Sequence, residues 1–226
     1  MPREPQFFDW LSFGKILGRN LLVAAGILAA VAAAFVGGRY AERGVFRSSP
    51  AQLGLGVKAL QTGDDRSALS LLKPLADTGN PQGQYWLADL YENGLGVDRD
   101  MITAVSLLER SAQHGFVPAE RRLGELYLNG DETLQDFGKA ASWLHKAAAA
   151  GDGGAQRDLG RIYALGLGVP RDPAEAYAWY ETAAVDGDRL ASRRRDDLVT
   201  RMSPDDIARG QDLAKTIAAD ASRAKA

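Results

Sequence analysis

Apolar side chains recur at helical spacing beyond residue 50, and the same spacing returns every 36 residues. Leu87, Leu90 and Tyr91 stand at positions i, i+3 and i+4, which is the stripe that an amphipathic helix turns toward a core. The equivalent stripes are Leu123, Leu126 and Tyr127, and Leu159, Ile162 and Tyr163. Each stripe predicts one helix, the first helix of its unit.

A second stripe follows each first one and predicts a second helix. Its equivalent positions are Leu107, Leu108 and Ala112, then Trp143, Leu144 and Ala148, then Trp179, Tyr180 and Ala184. Asp100, Asp136 and Asp172 precede these helices and suit N-caps, because an aspartate side chain accepts hydrogen bonds from free backbone N–H groups. One pair of helices cannot bury both stripes, so neighbouring pairs must stack into an all-α superhelix, or solenoid.

The repeated segments are similar to a known helical repeat. LADLYENGLGV begins at Leu87, LGELYLNGDET at Leu123 and LGRIYALGLGV at Leu159, and each is followed by an aspartate and a closing glycine, with paired alanines in the second and third units. This pattern resembles the Sel-one-like repeat (SLR), a relative of the tetratricopeptide repeat (TPR). The resemblance implies three SLR units over residues 81–192 and a TPR-like first hairpin over residues 51–80. The middle unit departs from the pattern, because Gly130-Asp131-Glu132-Thr133 replaces its G-x-G-V loop.

The segment after residue 192 is more polar and predicts the end of the solenoid. Ser203 suits an N-cap and Pro204 the first position of a helix. We therefore expect a helical C-terminal cap over residues 193–220 that covers the last repeat with a polar face. Residues 221–226 are predicted to be a frayed tail.

A run of uncharged residues between Arg19 and Arg39 predicts a transmembrane helix over residues 20–38. At ~1.5 Å per residue such a helix spans about one hydrocarbon core. Aromatic and apolar residues at helical spacing indicate an amphipathic N-terminal segment over residues 1–19, and residues 39–50 read as a linker. A cleavable signal peptide is the alternative, although the apolar run exceeds a signal core in length.

Small residues recur every four positions within the predicted span. They form a packing face of Gly26, Ala30, Ala34 and Gly38. Such a face lets transmembrane helices approach closely and suits homo- or hetero-association, but a segment this rich in alanine also gives the pattern by chance. Positive charges flank the span almost equally. The short N-terminal tail favours a single-pass protein of the bacterial inner membrane with a periplasmic rather than a cytoplasmic solenoid.

Charge and composition exclude several functions. The balance of 27 Lys and Arg against 29 Asp and Glu argues against nucleic-acid binding, which usually needs a basic excess. The absence of cysteine excludes thiol nucleophiles and thiolate metal sites. His114 and His145 lie in different repeats, and the sequence contains neither G-x-S-x-G nor a phosphate-binding glycine motif. We therefore predict no enzyme activity, no cofactor, no metal and no small-molecule substrate.

The chain contains 25 glycines, a share above the ~7% that is usual. In the repeat register their positions are regular. Gly94, Gly130 and Gly166 end first helices, where a positive φ is needed. Gly124 and Gly160 lie inside first helices, where we expect close packing that leaves no room for a side chain.

The SLR resemblance implies that the first helix of each pair lines the concave surface. The partner-binding rows predicted on this surface are Tyr85, Arg121 and Arg157, continued by Arg193, and Asp89, Glu125 and Arg161, continued by Asp197. Stacked helices lie about 8–10 Å apart, so the arginines suit an extended peptide with acidic groups or a carboxylate end. Alternatively, Arg121 pairs with Glu125 at i, i+4 and the rows are only a solvated face.

Every recurring residue has a structural role in the repeat, and no reactive set converges. The sequence therefore favours a non-enzymatic, membrane-anchored adaptor that holds protein partners, in the bacterial cell envelope. The first alternative is an accessory or assembly subunit of a larger inner-membrane complex. The remote alternative is an enzyme or an envelope-glycan-binding protein.

Overall fold

The computed structural model describes residues 50–130 and 135–224, and all regular structure in these ranges is α-helical. The ten helices are α1 (Pro50–Gln61), α2 (Asp65–Asp77), α3 (Pro81–Asn93), α4 (Met101–Gln113), α5 (Val117–Asn129), α6 (Phe137–Ala149), α7 (Gly153–Leu165), α8 (Pro173–Val185), α9 (Arg189–Val199) and α10 (Pro204–Ala224). Helices α1 to α8 pair into four consecutive hairpins, each hairpin packs on the next, and α9 and α10 both pack on α8. The predicted all-α solenoid is confirmed.

The predicted N-cap aspartates start the second helices of the three repeats. One side-chain oxygen of each accepts a backbone N–H: Thr103 to Asp100 at 3.1 Å, Lys139 to Asp136 at 2.9 Å, and Glu175 to Asp172 at 3.1 Å. Each such bond satisfies a donor that has no partner inside its own helix. The spacing of the aspartates therefore sets where every second helix begins.

Two glycines inside first helices allow the hairpins to close tightly. A Cβ on Gly124 would lie 2.4 Å from Cγ of Leu144, and one on Gly160 would lie 2.6 Å from Cδ1 of Tyr180. Real Cβ atoms do not come this close to other atoms. Leu144 of α6 and Tyr180 of α8 therefore occupy the space that a side chain at these two positions would need. This confirms the close packing that the sequence predicts for both positions.

The G-x-G-V loops reach back to the preceding hairpin. Gly168 has a φ of +68°, and a Cβ there would lie 2.5 Å from the carbonyl carbon of Phe137 at the start of α6. Gly96 has a φ of +69° and faces the backbone of Asp65 at the start of α2, where a Cβ would lie 3.0 Å from the carbonyl oxygen. Each loop thus contacts the second helix of the unit before its own.

The last two helices extend the stack by packing on α8. Helix α9 begins at Arg189, inside the third repeat as the sequence divides it, because Ala191 and Leu198 fill buried positions despite their polar neighbours. Helix α10 packs along α8, and the two terminal nitrogens of Arg209, Nη1 and Nη2, donate to the Asp172 carboxylate at 2.9 and 2.7 Å. The cap prediction for Ser203 is confirmed, since its hydroxyl accepts the N–H of Asp206.

Helix α10 extends further than the sequence suggests. It runs to Ala224, through residues that the sequence assigns to a frayed tail. An i, i+3 ion pair between Arg223 and Asp220, at 3.1 Å, lies within this last stretch. The helix thus extends four residues beyond the bounds that the sequence gives to the cap, in a stretch where alanine and ion pairing favour helix.

Residues 1–49, 131–134 and 225–226 lie outside the described part of the chain. The predicted amphipathic segment, the transmembrane helix over residues 20–38 with its packing face, and nearly all of the linker fall there. Between residues 50 and 224, apart from the gap at 131–134, no helix has the length and apolar character that a membrane crossing needs.

One polar position is buried in every repeat, and in the middle repeat it carries a carboxyl group. The amides of Gln84 and Gln156 donate to the carbonyl oxygens of Ala76 and Ala148, eight residues upstream, at 3.4 and 3.2 Å. Glu120 occupies the equivalent place and is buried. Burial raises the pKa of Glu120 above its ordinary 4.5, with Lys146 opposing the shift.

Replacing Glu120 with glutamine is expected to stabilise the protein at neutral pH by about 1 kcal/mol, because an amide can donate the hydrogen bond that its counterparts make. A raised folded pKa means that the carboxyl contributes fully below pH 4.5 and loses that contribution as the pH rises. The advantage of Glu120→Gln should therefore be absent near pH 4 and grow toward pH 7 in urea unfolding. The matched reverse change, Gln156→Glu, should destabilise with the opposite pH trend, and equal effects at both pH values would contradict this.

Candidate protein-binding surface

The first helices lie against one another along one side of the stack. Among these helices, α1 contacts α3, α5 contacts α7, and α7 contacts α9. Their polar side chains at positions equivalent to residues 85, 86 and 89 share this side, which we call the inner surface. The predicted rows within the described ranges therefore stand on neighbouring helices, and their contacts determine what a partner would meet.

The arginines of the first predicted row bridge to the next first helix. Arg157 donates from Nη1 to Oδ2 of Asp188 at 2.7 Å. Arg121 makes the same step to Asp152, with Nε 3.3 Å from Oδ2. Asp152 and Asp188 are the N-cap residues of α7 and α9, and in each pair the partner follows the arginine by 31 residues. The arginine row thus ties the repeats together.

Tyr85 makes the equivalent link with an aromatic contact. Its ring meets the ring of Phe116 edge to face, with centroids 5.3 Å apart, and Phe116 holds the N-cap position of α5 without a side-chain hydrogen bond. Burial raises the pKa of the Tyr85 phenol, and the charge of Arg121 opposes this. An apolar pair therefore replaces the ion pair in the first repeat.

Acidic side chains surround the arginines of α5. Nη1 of Arg121 lies 2.5 Å from Oε1 of Glu125, which is the i, i+4 pair considered from sequence. Arg122 contacts Glu92 of α3, and its Nη1 lies 3.4 Å from Oε2 of Glu125. The two guanidinium groups share three carboxylates when Asp152 is included. An acidic ligand would have to displace these partners.

The second predicted row is divided by environment. The carboxylate of Asp89 accepts a hydrogen bond from Asn93 at 2.9 Å, and burial raises the pKa of Asp89 while Arg122 opposes the shift. Glu125 belongs to the ion-pair cluster on α5. Arg161 lies instead in the wall of a cavity at the C-terminal end of the inner surface. The structure therefore does not unite the six predicted residues into one site.

The cavity beside Arg161 lies between α7, α8 and α9 and has a volume of about 270 Å³. Three arginines line it, Arg161, Arg194 and Arg201, together with Tyr180 and Asp197. We call this the terminal cavity. In contrast to Arg121 and Arg157, none of its arginines has a carboxylate within 4 Å among the residues that the structure describes.

The histidines do not form a metal site in the described part of the chain. Nδ1 of His114 lies 2.7 Å from the carbonyl oxygen of Arg110, and the His145 ring packs edge to face on Trp179 at 5.7 Å. No group of three His, Cys, Asp or Glu residues between 50 and 130 or between 135 and 224 is close enough to hold a metal ion.

Sequence reasoning missed several partners on the inner surface. Glu92, Arg122, Asp152 and Asp188 take part in its ion pairs but are not among the predicted residues. The sequence did contain a signal for these pairs, because residues of opposite charge recur 30 or 31 positions apart. This spacing is shorter than the 36-residue repeat by about one and a half helical turns. The terminal cavity was missed because Arg194 and Arg201 lie in the segment read as a polar cap.

Comparisons with known proteins support the repeat structure. The family model described as Sel1 repeat matches residues 81–116, 117–152 and 154–188. The chain is similar to the crystal structure of a Sel1 repeat protein from Oxalobacter formigenes, with 34% identity and a TM-score of 0.62, over 67% of this chain and 46% of that one. It also matches c5321, a protective antigen present in uropathogenic Escherichia coli strains that displays an SLR fold, with 27% identity and a TM-score of 0.46, over 77% of this chain and 47% of that one. The chain thus spans about half the length of either structure, and a search of the curated proteins gives no match.

Proposed function

Because residues 81–188 carry three Sel1 repeats, we propose that this chain is a non-enzymatic scaffold that binds a protein partner on its inner surface and is held at a membrane by residues 20–38. Protein–protein interaction is the usual role of such repeats, since stacked helical pairs present an extended surface whose residues vary on a constant frame. The membrane anchor and a place in the bacterial envelope rest on the sequence alone.

The observation that carries the proposal is the way polar residues are distributed. Recurring polar residues, such as Asp100 and Gln84, are used inside the repeat as caps and core hydrogen bonds. Residues on the inner surface differ from one repeat to the next, as Asp89, Glu125 and Arg161 do at one position. A surface that varies on a repeating frame is suited to recognising one particular partner, and we propose an extended segment with acidic groups as that partner.

A photo-crosslinking experiment tests this function in cells. A photoreactive residue placed at Asp89 or at Arg193, both on first helices, is expected to give adducts with the same partner. Placed at Ser106 or Ser142, which are exposed on second helices, it should give none. Equal adducts from all four positions, or none from the first two, would count against the proposal. Adducts found only within a large detergent-stable complex would favour the accessory-subunit alternative.

A further inference from the structure

The terminal cavity contains more positive charge than its own residues neutralise. Three arginines and one acidic residue, Asp197, line it. Asp158 of α7 lies close by, and its Oδ1 is 3.6 Å from Nε of Arg157. Burial raises the pKa of Asp158, and the charges of Arg157, Arg194 and Arg161 oppose this rise. The three cavity arginines therefore face two carboxylates, and Asp158 is shared with Arg157, so a net positive charge remains.

The equivalent place one repeat earlier has the opposite character. Arg161, Arg194 and Arg201 correspond there to Glu125, Asp158 and Leu165, and Tyr180 corresponds to Leu144. Two carboxylates at the α5–α7 step have thus been replaced by two guanidinium groups at the α7–α9 step, with a third added in place of a leucine. This change occurs at the last step between first helices in the described part of the chain, where the following helix, α10, packs on α8 instead.

The walls of the cavity are held in place by packing. Tyr180 is buried against Gly160, whose missing side chain makes room for the ring. The hydroxyl of Tyr180 lies beside the Arg194 guanidinium, which opposes the rise in the phenol's pKa caused by burial. Neighbouring Arg195 turns away to Glu181 and Asp196, at 2.5 and 2.7 Å. Arg194 is therefore the member of the arginine run that faces the cavity.

We propose that the terminal cavity binds a carboxylate of the partner polypeptide, held by Arg161, Arg194 and Arg201. This inference rests on the proposed scaffold function and adds to it the site at which the acidic group of the partner binds. Guanidinium groups bind carboxylates through paired N–H donors, and a volume of about 270 Å³ accommodates an aspartate or glutamate side chain or a chain end. Arg121 and Arg157 of the first row, by contrast, form ion pairs that link one first helix to the next.

Fluorescence anisotropy with defined peptides tests the proposal on the full purified chain. The probes are a labelled hexaglutamate with an amidated C terminus and a labelled hexaglycine with a free C-terminal carboxylate. We expect the wild type to bind at least one of them saturably, with affinity that falls as salt rises. The probe that binds tells an acidic side chain from a chain end, and inorganic phosphate is added as a competitor for a general anion site.

Three variants make the test specific. Arg161→Gln/Arg194→Gln should weaken binding at least tenfold, and so should Arg201→Glu, which changes an exposed side chain. Arg66→Gln/Arg110→Gln removes the same charge from exposed positions on second helices and should change affinity less than twofold. Unchanged binding in the first two variants, equal loss in the control, or no binding of either peptide to the wild type would overturn the proposal. So would phosphate that binds more tightly than both peptides.

Failure of this proposal is separable from failure of the scaffold function. If the cavity variants lose no affinity but adducts still form from Asp89, the inner surface binds a partner without the terminal cavity. If no adducts form at all, the scaffold function fails whatever the peptides do.

Discussion

Replacing Gly168 with alanine is expected to lower the free energy of unfolding by about 2–4 kcal/mol. Two effects add at this position. Its φ of +68° is strained for any residue with a side chain, and the new Cβ would lie 2.5 Å from the carbonyl carbon of Phe137. The obstacle is backbone at the start of α6, so no rotamer change can relieve it. Urea unfolding of the full chain, followed by circular dichroism, measures the loss.

Gly187 provides the matched control. It has a φ of +98°, and a Cβ there would meet nothing within 4 Å. Gly187→Ala should therefore cost only the backbone strain, about 1 kcal/mol. Equal losses in the two variants would show that the contact between the loop and the preceding hairpin contributes nothing.

Replacing Leu144 with alanine is expected to cost about 3 kcal/mol, through lost burial and the cavity left behind. Leu144 is fully buried in α6, and α5 already touches it at Gly124, so the helices have little freedom to close the gap. Leu55→Ala is the control, because Leu55 is 55% exposed and should cost well under 1 kcal/mol.

A second substitution at Gly124 sharpens this test. Gly124→Ala alone should destabilise, because its Cβ would overlap Leu144. In the Leu144→Ala background the same change should stabilise, since the space is then free and alanine favours helix over glycine by ~1 kcal/mol. A double-mutant cycle measures this reversal, and additive effects would contradict the close packing of α5 on α6.

Much of the fold can be predicted from sequence because the same pattern of apolar, capping and glycine positions recurs in three repeats. The stripes around Leu87, Leu123 and Leu159, the N-cap aspartates and the glycines at hairpin contacts agree, so local and tertiary signals point to one structure. The prediction is weaker at the C terminus. There Ala191 and Leu198 are the only buried residues of α9, and the surrounding charges hide the register.

The inner surface is less predictable, because a row drawn from sequence spacing shows which residues share a face and not what they contact. Arg121 and Arg157 were correctly placed on first helices but lie in ion pairs with Asp152 and Asp188. Those partners belong to the next helix, and their reach depends on how the hairpins stack. A guanidinium that binds the scaffold and one that is free for a partner look alike in the sequence.

The 31-residue links also constrain how this protein can be re-engineered. The side chain of Arg157 faces the region where a partner would lie, and it also forms an ion pair with Asp188 at the start of the next first helix, α9. Replacing Arg157 to alter recognition would also remove the ion pair between α7 and the start of α9, and would change the pitch of the superhelix. Specificity and curvature are therefore coupled along this row. The arginines of the terminal cavity have no carboxylate within 4 Å among the described residues, so under the proposal made above they could be exchanged without breaking an ion pair between helices.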